Sequence, residues 1–129
     1  YYFPQIELLE EFVRDYPNAT FVLPFRSMEK WFQSVKNWNG MKTRFKKSNI
    51  TGLPVGVGKT VDELTDWFCW HVERVRDIVA QNPSHTLVEV DLEDPDMGQR
   101  LEDIFGIRKK IYCSSHAHSN CFWLKSLIQ

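Results

Sequence analysis

Residues 51–60, TGLPVGVGKT, end in a Gly58-Lys59-Thr60 triplet of the kind that holds phosphate in nucleotide-binding loops. The nucleotide P-loop has the pattern G-x-x-x-x-G-K-[ST], in which backbone amides cradle the phosphates and the lysine reaches them. Here position 53 holds Leu53 instead of the first glycine, and Pro54 lacks a backbone N–H. We therefore predict a flexible loop that ends where a helix begins. An ATP- and Mg²⁺-dependent phosphotransferase that uses the triplet is the alternative.

Arg26 and Ser34 form a second candidate site. Arg26 directly follows the apolar run TFVLPF at residues 20–25, and Ser34 comes eight residues later. In open α/β sheets, ligands bind beyond the carboxyl ends of the strands. An arginine there offers a fork of N–H groups to a phosphate, and a serine hydroxyl adds a neutral donor. The pair predicts a site for one phosphate; pairing of Arg26 with a nearby carboxylate is the alternative.

The apolar pattern predicts the elements that position these residues. Apolar runs at 20–25 and 85–92 predict strands buried on both faces of a parallel sheet. Helical spacing predicts four helices: one at 5–15, one capped by Ser27 that runs to Trp38, one from the N-cap candidate Thr60, with Glu63 three residues on, to about Gln81, and one at 97–105. Val61 is predicted to face inward on the third of these helices. Residues 40–60 are predicted to be a long basic loop. Strands that alternate with helices predict an α/β fold with a parallel sheet flanked by helices.

Other candidate residues have a structural interpretation. Cys69 is predicted to be a core residue. Four tryptophans at helical spacing are predicted to be core or helix-packing residues: Trp31, Trp38, Trp67 and Trp70. His71 is predicted to be a hydrogen-bonded residue in the core or at its boundary. His116 and His118 are interpreted as loop residues. The three cysteines contain no C-x-x-C pair, so no zinc site is predicted, and a Cys113–Cys121 disulfide is left open.

The composition favours one domain with a segregated charge. The net charge is −1 over 129 residues, but residues 1–60 carry nine Lys/Arg against five Asp/Glu. This basic half, densest in MKTRFKK, suits an anionic ligand, while the small excess argues against a nucleic-acid surface. No apolar run approaches the ~18 residues of a membrane span. Glycosylation sequons at Asn18 and Asn49 would matter only in a secretory lumen, so both cytoplasm and Golgi lumen stay open.

Four segments together resemble a family over nearly the whole chain: FVLPFRSMEKWFQSVKNW, GLPVGVGKTVDELTDWFCWHVERVRDIVA, HTLVEVDLEDPDMGQRLEDIFGI and CSSHAHSN. They are similar to the C-terminal two thirds of a P-loop-type sulfotransferase. The resemblance implies a P-loop nucleoside-triphosphate-hydrolase-like fold without its N-terminal P-loop unit, with residues 1–129 as a single partial domain. It also implies 3′-phosphoadenosine-5′-phosphosulfate as co-substrate, with Arg26 and Ser34 on its 3′-phosphate. The acceptor would be a hydroxyl or amine of a small molecule or glycan.

The chain departs from the family pattern at three places. The loop that binds the 5′-phosphosulfate and the catalytic base are expected upstream of Tyr1, and nothing in this sequence matches them. The Lys/Arg-Gly motif that many members carry near their C-terminus is not recognisable at residues 108–110. The sequence therefore assigns no catalytic residue and no oligomeric state. A non-catalytic module of the same fold, which has lost donor binding, is the further alternative.

Overall fold

The computed structural model describes residues 3–106, which form six helices and two strands. In chain order these are α1 (Pro4–Glu7), α2 (Leu9–Asp15), β1 (Thr20–Phe25), α3 (Met28–Asn37), α4 (Met41–Lys47), α5 (Val61–Ala80), β2 (Thr86–Asp91) and α6 (Met97–Phe105). The predicted strands, and the predicted helices that became α3, α5 and α6, are confirmed to within one residue at each end.

The two strands form a parallel sheet. Thr20 is the partner of Thr86, and Phe25 is the partner of Asp91 at the carboxyl ends. Because a tight turn cannot join parallel strands, the chain crosses from β1 to β2 through α3, α4 and α5. A small parallel sheet flanked by helices confirms the predicted α/β class.

The two faces of this sheet are covered unequally. Side chains of both strands pack on one face against a buried cluster from α2 and α5. The cluster is Leu9, Val75 and Val79, and the strand residues against it are Phe21, Leu23 and Leu87. On the opposite face, the described residues place α6, which buries none of its own residues, beside Val88 and Val90, and Val90 is buried. The predicted burial on both faces therefore holds in part: strand side chains are buried or half-buried toward both faces, whereas Pro24 and Glu89 are exposed.

The N-terminal helix is broken where a single helix was predicted. Leu8, with φ −108° and ψ 26°, separates α1 from α2. The break lets the apolar residues serve two clusters, because Phe3 and Ile6 pack with α4 and α5 whereas Leu9 packs beneath the sheet. Two separate cores, and not a change in local periodicity, account for the interruption.

Residues 40–60 are not one long loop, because they contain α4. Met41 and Phe45 lie one turn apart and are buried on the inner side of this helix. The Phe45 ring stacks on Phe3 at 5.9 Å between centroids and meets the edge of Trp67 at 5.4 Å. These aromatic contacts stabilise a short, lysine-rich helix whose isolated sequence would be marginal. Residues 48–60 are the actual loop.

Helix α5 connects the two cores and begins at a complete capping box. The Thr60 hydroxyl accepts the backbone N–H of Glu63, whose carboxylate accepts the backbone N–H of Thr60 in return. Leu64 and Trp67 are buried in the core with α4, and Val75 and Val79 are buried under the sheet. The predicted helix start is confirmed, while Val61, predicted to face inward, is exposed.

Three residues predicted to be core or helix-packing residues are exposed. Cys69 and Trp70 lie on the side of α5 opposite the buried stripe of Leu64 and Trp67, and the side chain of Trp70 is 42% exposed. Trp38 follows the last turn of α3 and is 41% exposed. Their apolar character suggested burial, but the helix rotation set by the cores turns them outward.

His71 lies at the boundary of the core, as predicted. Its ring stacks on Trp67 at 6.0 Å, and its Nδ1 is buried without a hydrogen bond in the described part of the chain. Burial, with a smaller contribution from the charge of Arg74, lowers the pKa of this imidazole. The predicted hydrogen bond is thus missing at Nδ1.

The predictions for Cys113, Cys121, His116 and His118 lie outside the described residues. Among the helices between residues 3 and 106, none has the length and apolar character required to cross a bilayer.

Candidate functional site

Arg26 lies at the carboxyl end of the sheet, between the last residue of β1 and the start of α3. Its Nε is buried and makes no hydrogen bond. The nearest carboxylate oxygen, Oε1 of Glu93, is 3.9 Å from this nitrogen, which is beyond hydrogen-bonding distance. A buried guanidinium N–H without a partner is costly, so the strand end holds an arginine with unused capacity for an anion.

Glu93 brings a carboxylate to the same place from the other strand. It follows β2 by two residues, and because parallel strands end at one edge, it meets the residues that follow β1. Its carboxylate accepts the backbone N–H of Ser27 at 3.3 Å, the Ser27 hydroxyl at 3.2 Å and the Lys30 ammonium at 3.1 Å. The hydrogen bond from Lys30 is the main cause that lowers the pKa of Glu93. A carboxylate thus occupies the anion position at the start of α3.

Sequence reasoning missed this role of Glu93. The usable signal was its place two residues past a strand predicted to be parallel to β1, since both strand ends share one edge of the sheet. Ser27 was predicted to cap α3, and it does occupy the N-cap position, but its hydroxyl donates to Glu93 and makes no capping hydrogen bond. The carboxylate of Glu93, from a distant part of the chain, instead accepts the backbone N–H of Ser27 at the start of α3.

Ser34 lies two turns into α3 on an exposed surface. Its hydroxyl donates to the carbonyl oxygen of Trp31 at 2.7 Å. No hydrogen bond joins Ser34 to Arg26 in the described structure. Helix α3 fixes their relative position, because it begins just after Arg26 and contains Ser34. The Ser34 hydroxyl is open to solvent and can rotate toward a ligand at the cost of one intrahelical bond.

Comparison with known protein families shows which family the chain belongs to. The model of a family described as "Sulfotransferase domain" matches residues 2–70, which include Arg26, Ser34 and the glycine-rich loop. The chain belongs to the sulfotransferase domain family. Sulfuryl transfer is the general function that this membership supports. Comparison with curated proteins and with solved structures gives no significant match.

The Gly58-Lys59-Thr60 triplet of this sulfotransferase domain is engaged in helix capping. The backbone N–H groups of Lys59 and Thr60 both donate to Glu63, at 2.7 and 3.1 Å. The hydrogen bond from the Thr60 backbone N–H, followed by the one from Lys59, lowers the pKa of the Glu63 carboxyl. Because the amides that would cradle a phosphate already have a carboxylate partner, and no strand leads into the loop, the geometry does not fit a nucleotide P-loop.

The loop of the sulfotransferase domain is fixed to its surroundings by hydrogen bonds. The indole N–H of Trp67 donates to the carbonyl of Thr51 at 2.9 Å. The Thr51 backbone N–H and hydroxyl donate to the Glu7 carboxylate at 2.9 and 2.6 Å. Gly58 packs against Leu53 and Leu64, which are fully buried. The glycine-rich segment is therefore a structural cover over the aromatic core.

The glycines in this loop allow a direct test of that structural role. Gly52 and Gly56 both have positive φ, +79° and +90°, but a Cβ on Gly52 would overlap the Trp70 ring, whereas one on Gly56 would meet nothing. Gly56→Ala should cost about 1–2 kcal/mol of unfolding free energy from backbone strain alone. Gly52→Ala should cost about 1–3 kcal/mol more, because the aromatic ring must move.

Urea unfolding of the two glycine variants and the parent chain measures this difference. Gly56→Ala is the matched control, since it shares the backbone strain and lacks the contact. Equal losses in the two variants would mean that Trp70 does not hold the loop.

No three His, Cys, Asp or Glu side chains lie close enough to hold a metal ion between residues 3 and 106 of the sulfotransferase domain.

Proposed function

We propose that the chain takes part in transfer of a sulfuryl group from 3′-phosphoadenosine-5′-phosphosulfate to a hydroxyl or amine, and that it supplies the 3′-phosphate site. The observation that supports this is the buried and unpartnered Nε of Arg26 at the carboxyl end of β1. A dianionic phosphate would give this guanidinium the acceptor that Glu93, at 3.9 Å, does not provide.

Ser34 would add a second contact to the same phosphate. Along α3, six residues separate Met28 from Ser34, or about 9 Å of helix axis. The extended Arg26 side chain and the phosphate oxygens together can span this distance. Ser34 would release the Trp31 carbonyl and donate to the ligand instead.

Glu93 would compete with the ligand for the same cations. Its carboxylate holds the Lys30 ammonium and the Ser27 donors in the ligand-free chain. A phosphate that approaches Arg26 meets this negative charge, so binding requires Glu93 to move or to become protonated. Lys30 could then exchange the carboxylate for a phosphate oxygen, because its Nζ lies on the same exposed edge.

When bound, the donor supplies the sulfuryl group, which an acceptor oxygen or nitrogen attacks while the bond to the 5′-phosphate oxygen breaks. Arg26, Lys30 and Ser34 would hold the far end of the donor and thereby orient it. We propose no catalytic base among these residues. A small molecule or a glycan is the acceptor in this proposal.

The proposal includes a larger fold. We infer a P-loop-like sheet in which residues 1–129 form one partial domain and an upstream unit carries the 5′-phosphosulfate loop. The support is the two-stranded sheet, whose outer edges are unpaired in the described residues. Such edges are normally covered or paired. A non-catalytic module of the same family is the competing proposal, and it predicts no donor binding.

Calorimetric titration with adenosine 3′,5′-bisphosphate, beside ADP with and without Mg²⁺, tests the proposal. We expect the bisphosphate to bind more tightly than ADP, independently of Mg²⁺. A preference for ADP with Mg²⁺ would favour the phosphotransferase alternative. Absence of binding to both would contradict a 3′-phosphate site in this chain and favour the non-catalytic module.

A further inference from the structure

Positive charge is concentrated in one segment without any acidic residue. Residues 30–61 contain no Asp or Glu. The same segment carries seven cations, Lys30, Lys36, Lys42, Arg44, Lys46, Lys47 and Lys59. Such a run of unopposed charge is a property of the sequence, and whether it is neutralised depends on the fold.

The fold does not neutralise most of it. Among the described cations outside the segment, four form close ion pairs with carboxylates, namely Arg14, Arg74, Arg76 and Arg100, and Arg26 lies 3.9 Å from Glu93. Within the segment, Lys30 pairs with Glu93. No described carboxylate forms an ion pair with Lys36, Lys42, Lys46, Lys47 or Lys59. Most cations within residues 30–61 thus lack a described carboxylate partner, in contrast to the described cations outside this segment.

Three unpaired lysines form one surface, here called the basic surface and defined as Lys36, Lys42 and Lys46. The ammonium groups of Lys36 on α3 and Lys42 on α4 lie 5.7 and 5.8 Å from the centroid of the same Phe32 ring. Lys46 is one turn further along α4, about 6 Å along the axis. The surface therefore extends across two adjoining helices.

Helix stability does not account for this arrangement. Like charges at i and i+4, as in Lys42 and Lys46, are destabilising. A cation in the first turn of a helix, as Lys42 is, opposes the helix dipole. Lys46 lies in the last turn, where the dipole favours it, but Lys42 has no such compensation. An external anion would provide it.

We propose that the basic surface binds an anionic oligosaccharide with carboxylate or sulfate groups, and that this is the acceptor class of the enzyme. The assignment as acceptor rests on the proposed function. It follows from position, because α4 packs against α3, the helix that would hold the donor through Ser34. A saccharide presents acceptor hydroxyls or amines beside its anionic groups. One molecule can therefore bind the lysines through its anionic groups and offer a hydroxyl or amine for sulfuryl transfer.

A nucleic acid fits the basic surface less well. Binding of single strands relies on open aromatic rings on which bases stack. The ring within the surface, Phe32, is half-buried and has two lysines over it. Residues 61–129 also carry twelve Asp/Glu against seven Lys/Arg, which would repel a long polyanion.

Titration of the 129-residue chain with a sulfated and carboxylated hexasaccharide, beside a neutral hexasaccharide, tests the inference. Lys42→Gln combined with Lys46→Gln should weaken binding of the anionic probe at least about tenfold, because two charge-assisted contacts are lost. Arg14→Gln combined with Arg100→Gln changes the net charge equally at paired, exposed cations and should leave binding nearly unchanged. Affinity should fall as salt rises.

The outcomes separate this inference from the proposed function. Unchanged binding in the lysine variant, or an equal loss in the arginine control, would overturn the basic surface as a binding site. Tighter binding of a single-stranded oligonucleotide of equal charge, or of vesicles with anionic phospholipid, would overturn the saccharide. The lysine variant should keep the parent's affinity for adenosine 3′,5′-bisphosphate. If the parent binds the hexasaccharide but not the bisphosphate, the acceptor role is overturned together with the proposed function.

Discussion

Arg26→Ala is expected to weaken binding of adenosine 3′,5′-bisphosphate by about 100-fold or more. Each hydrogen bond between a guanidinium and a phosphate contributes roughly 1.5–3 kcal/mol net, and the arginine fork can form two of them. The binding free energy lost with both hydrogen bonds exceeds the ~2.7 kcal/mol that corresponds to a factor of 100 in affinity. Calorimetric titration of the parent and the variant, at one salt concentration and without Mg²⁺, measures the change.

The variant should remain folded, because Arg26 contributes little to the ligand-free structure. Its Nε makes no hydrogen bond, and Glu93 keeps its contacts with Ser27 and Lys30 when the arginine is removed. The unfolding transition should therefore change by less than about 1 kcal/mol. An unfolded variant, or one that binds the bisphosphate as the parent does, would contradict the role assigned to Arg26.

Two matched variants make the test specific to charge geometry. Arg26→Lys keeps the charge but loses the fork, so we expect an intermediate loss of about tenfold. Glu93→Gln should act in the opposite direction and raise affinity several-fold, since it removes the negative charge beside the phosphate while its amide oxygen can still accept from Ser27. Weaker binding in Glu93→Gln would show that Glu93 positions Arg26 and does not compete with the ligand.

Trp67→Ala is expected to lower the free energy of unfolding by about 3–5 kcal/mol. The side chain is only 6% exposed and contacts Phe45 and His71. Its removal creates a cavity at the junction of α4 and α5 and leaves the carbonyl of Thr51 without its donor. Urea unfolding followed by far-ultraviolet circular dichroism measures the loss.

Trp70→Ala is the matched control on the same helix. This tryptophan is 42% exposed and contacts Gly52 and Arg74, so its removal should cost about half as much or less. Trp67→Phe should fall between the two, because it keeps an aromatic ring and loses the hydrogen bond to Thr51. A larger loss for Trp70→Ala than for Trp67→Ala would contradict the assignment of the core.

Local pattern was sufficient where an element depends on its own residues. The apolar run TFVLPF predicted β1 without error, and Thr60 with Glu63 predicted the start of α5, because the capping box is formed within four residues. The family was also recognisable from the sequence, since its motifs are contiguous segments. The role of Arg26 and Ser34 on a 3′-phosphate stays a prediction.

The local sequence pattern gave a wrong prediction where contacts with distant residues determine the structure. Helix α4 exists because Phe45 packs on Phe3 and Trp67, and residues 41–47 taken alone look like a charged loop. Cys69 and Trp70 look like core residues, yet the rotation of α5 that buries Leu64 and Trp67 turns them to solvent. Side-chain burial depends on which face of a helix meets its neighbours, and composition does not encode that.

The sequence by itself determined the α/β class, the order of β1, α3, α5, β2 and α6, the family, and the concentration of cations in residues 30–61. Only the tertiary structure decided that Glu93 meets Ser27, 66 residues away, at the start of α3. It also decided that Lys36 and Lys42 meet on one ring of Phe32, while Arg74, Arg76 and Arg100 form ion pairs with carboxylates. The physical reason is that helix and strand formation follow from neighbouring residues, whereas the pairing of charges depends on the register of parallel strands and the packing of helices.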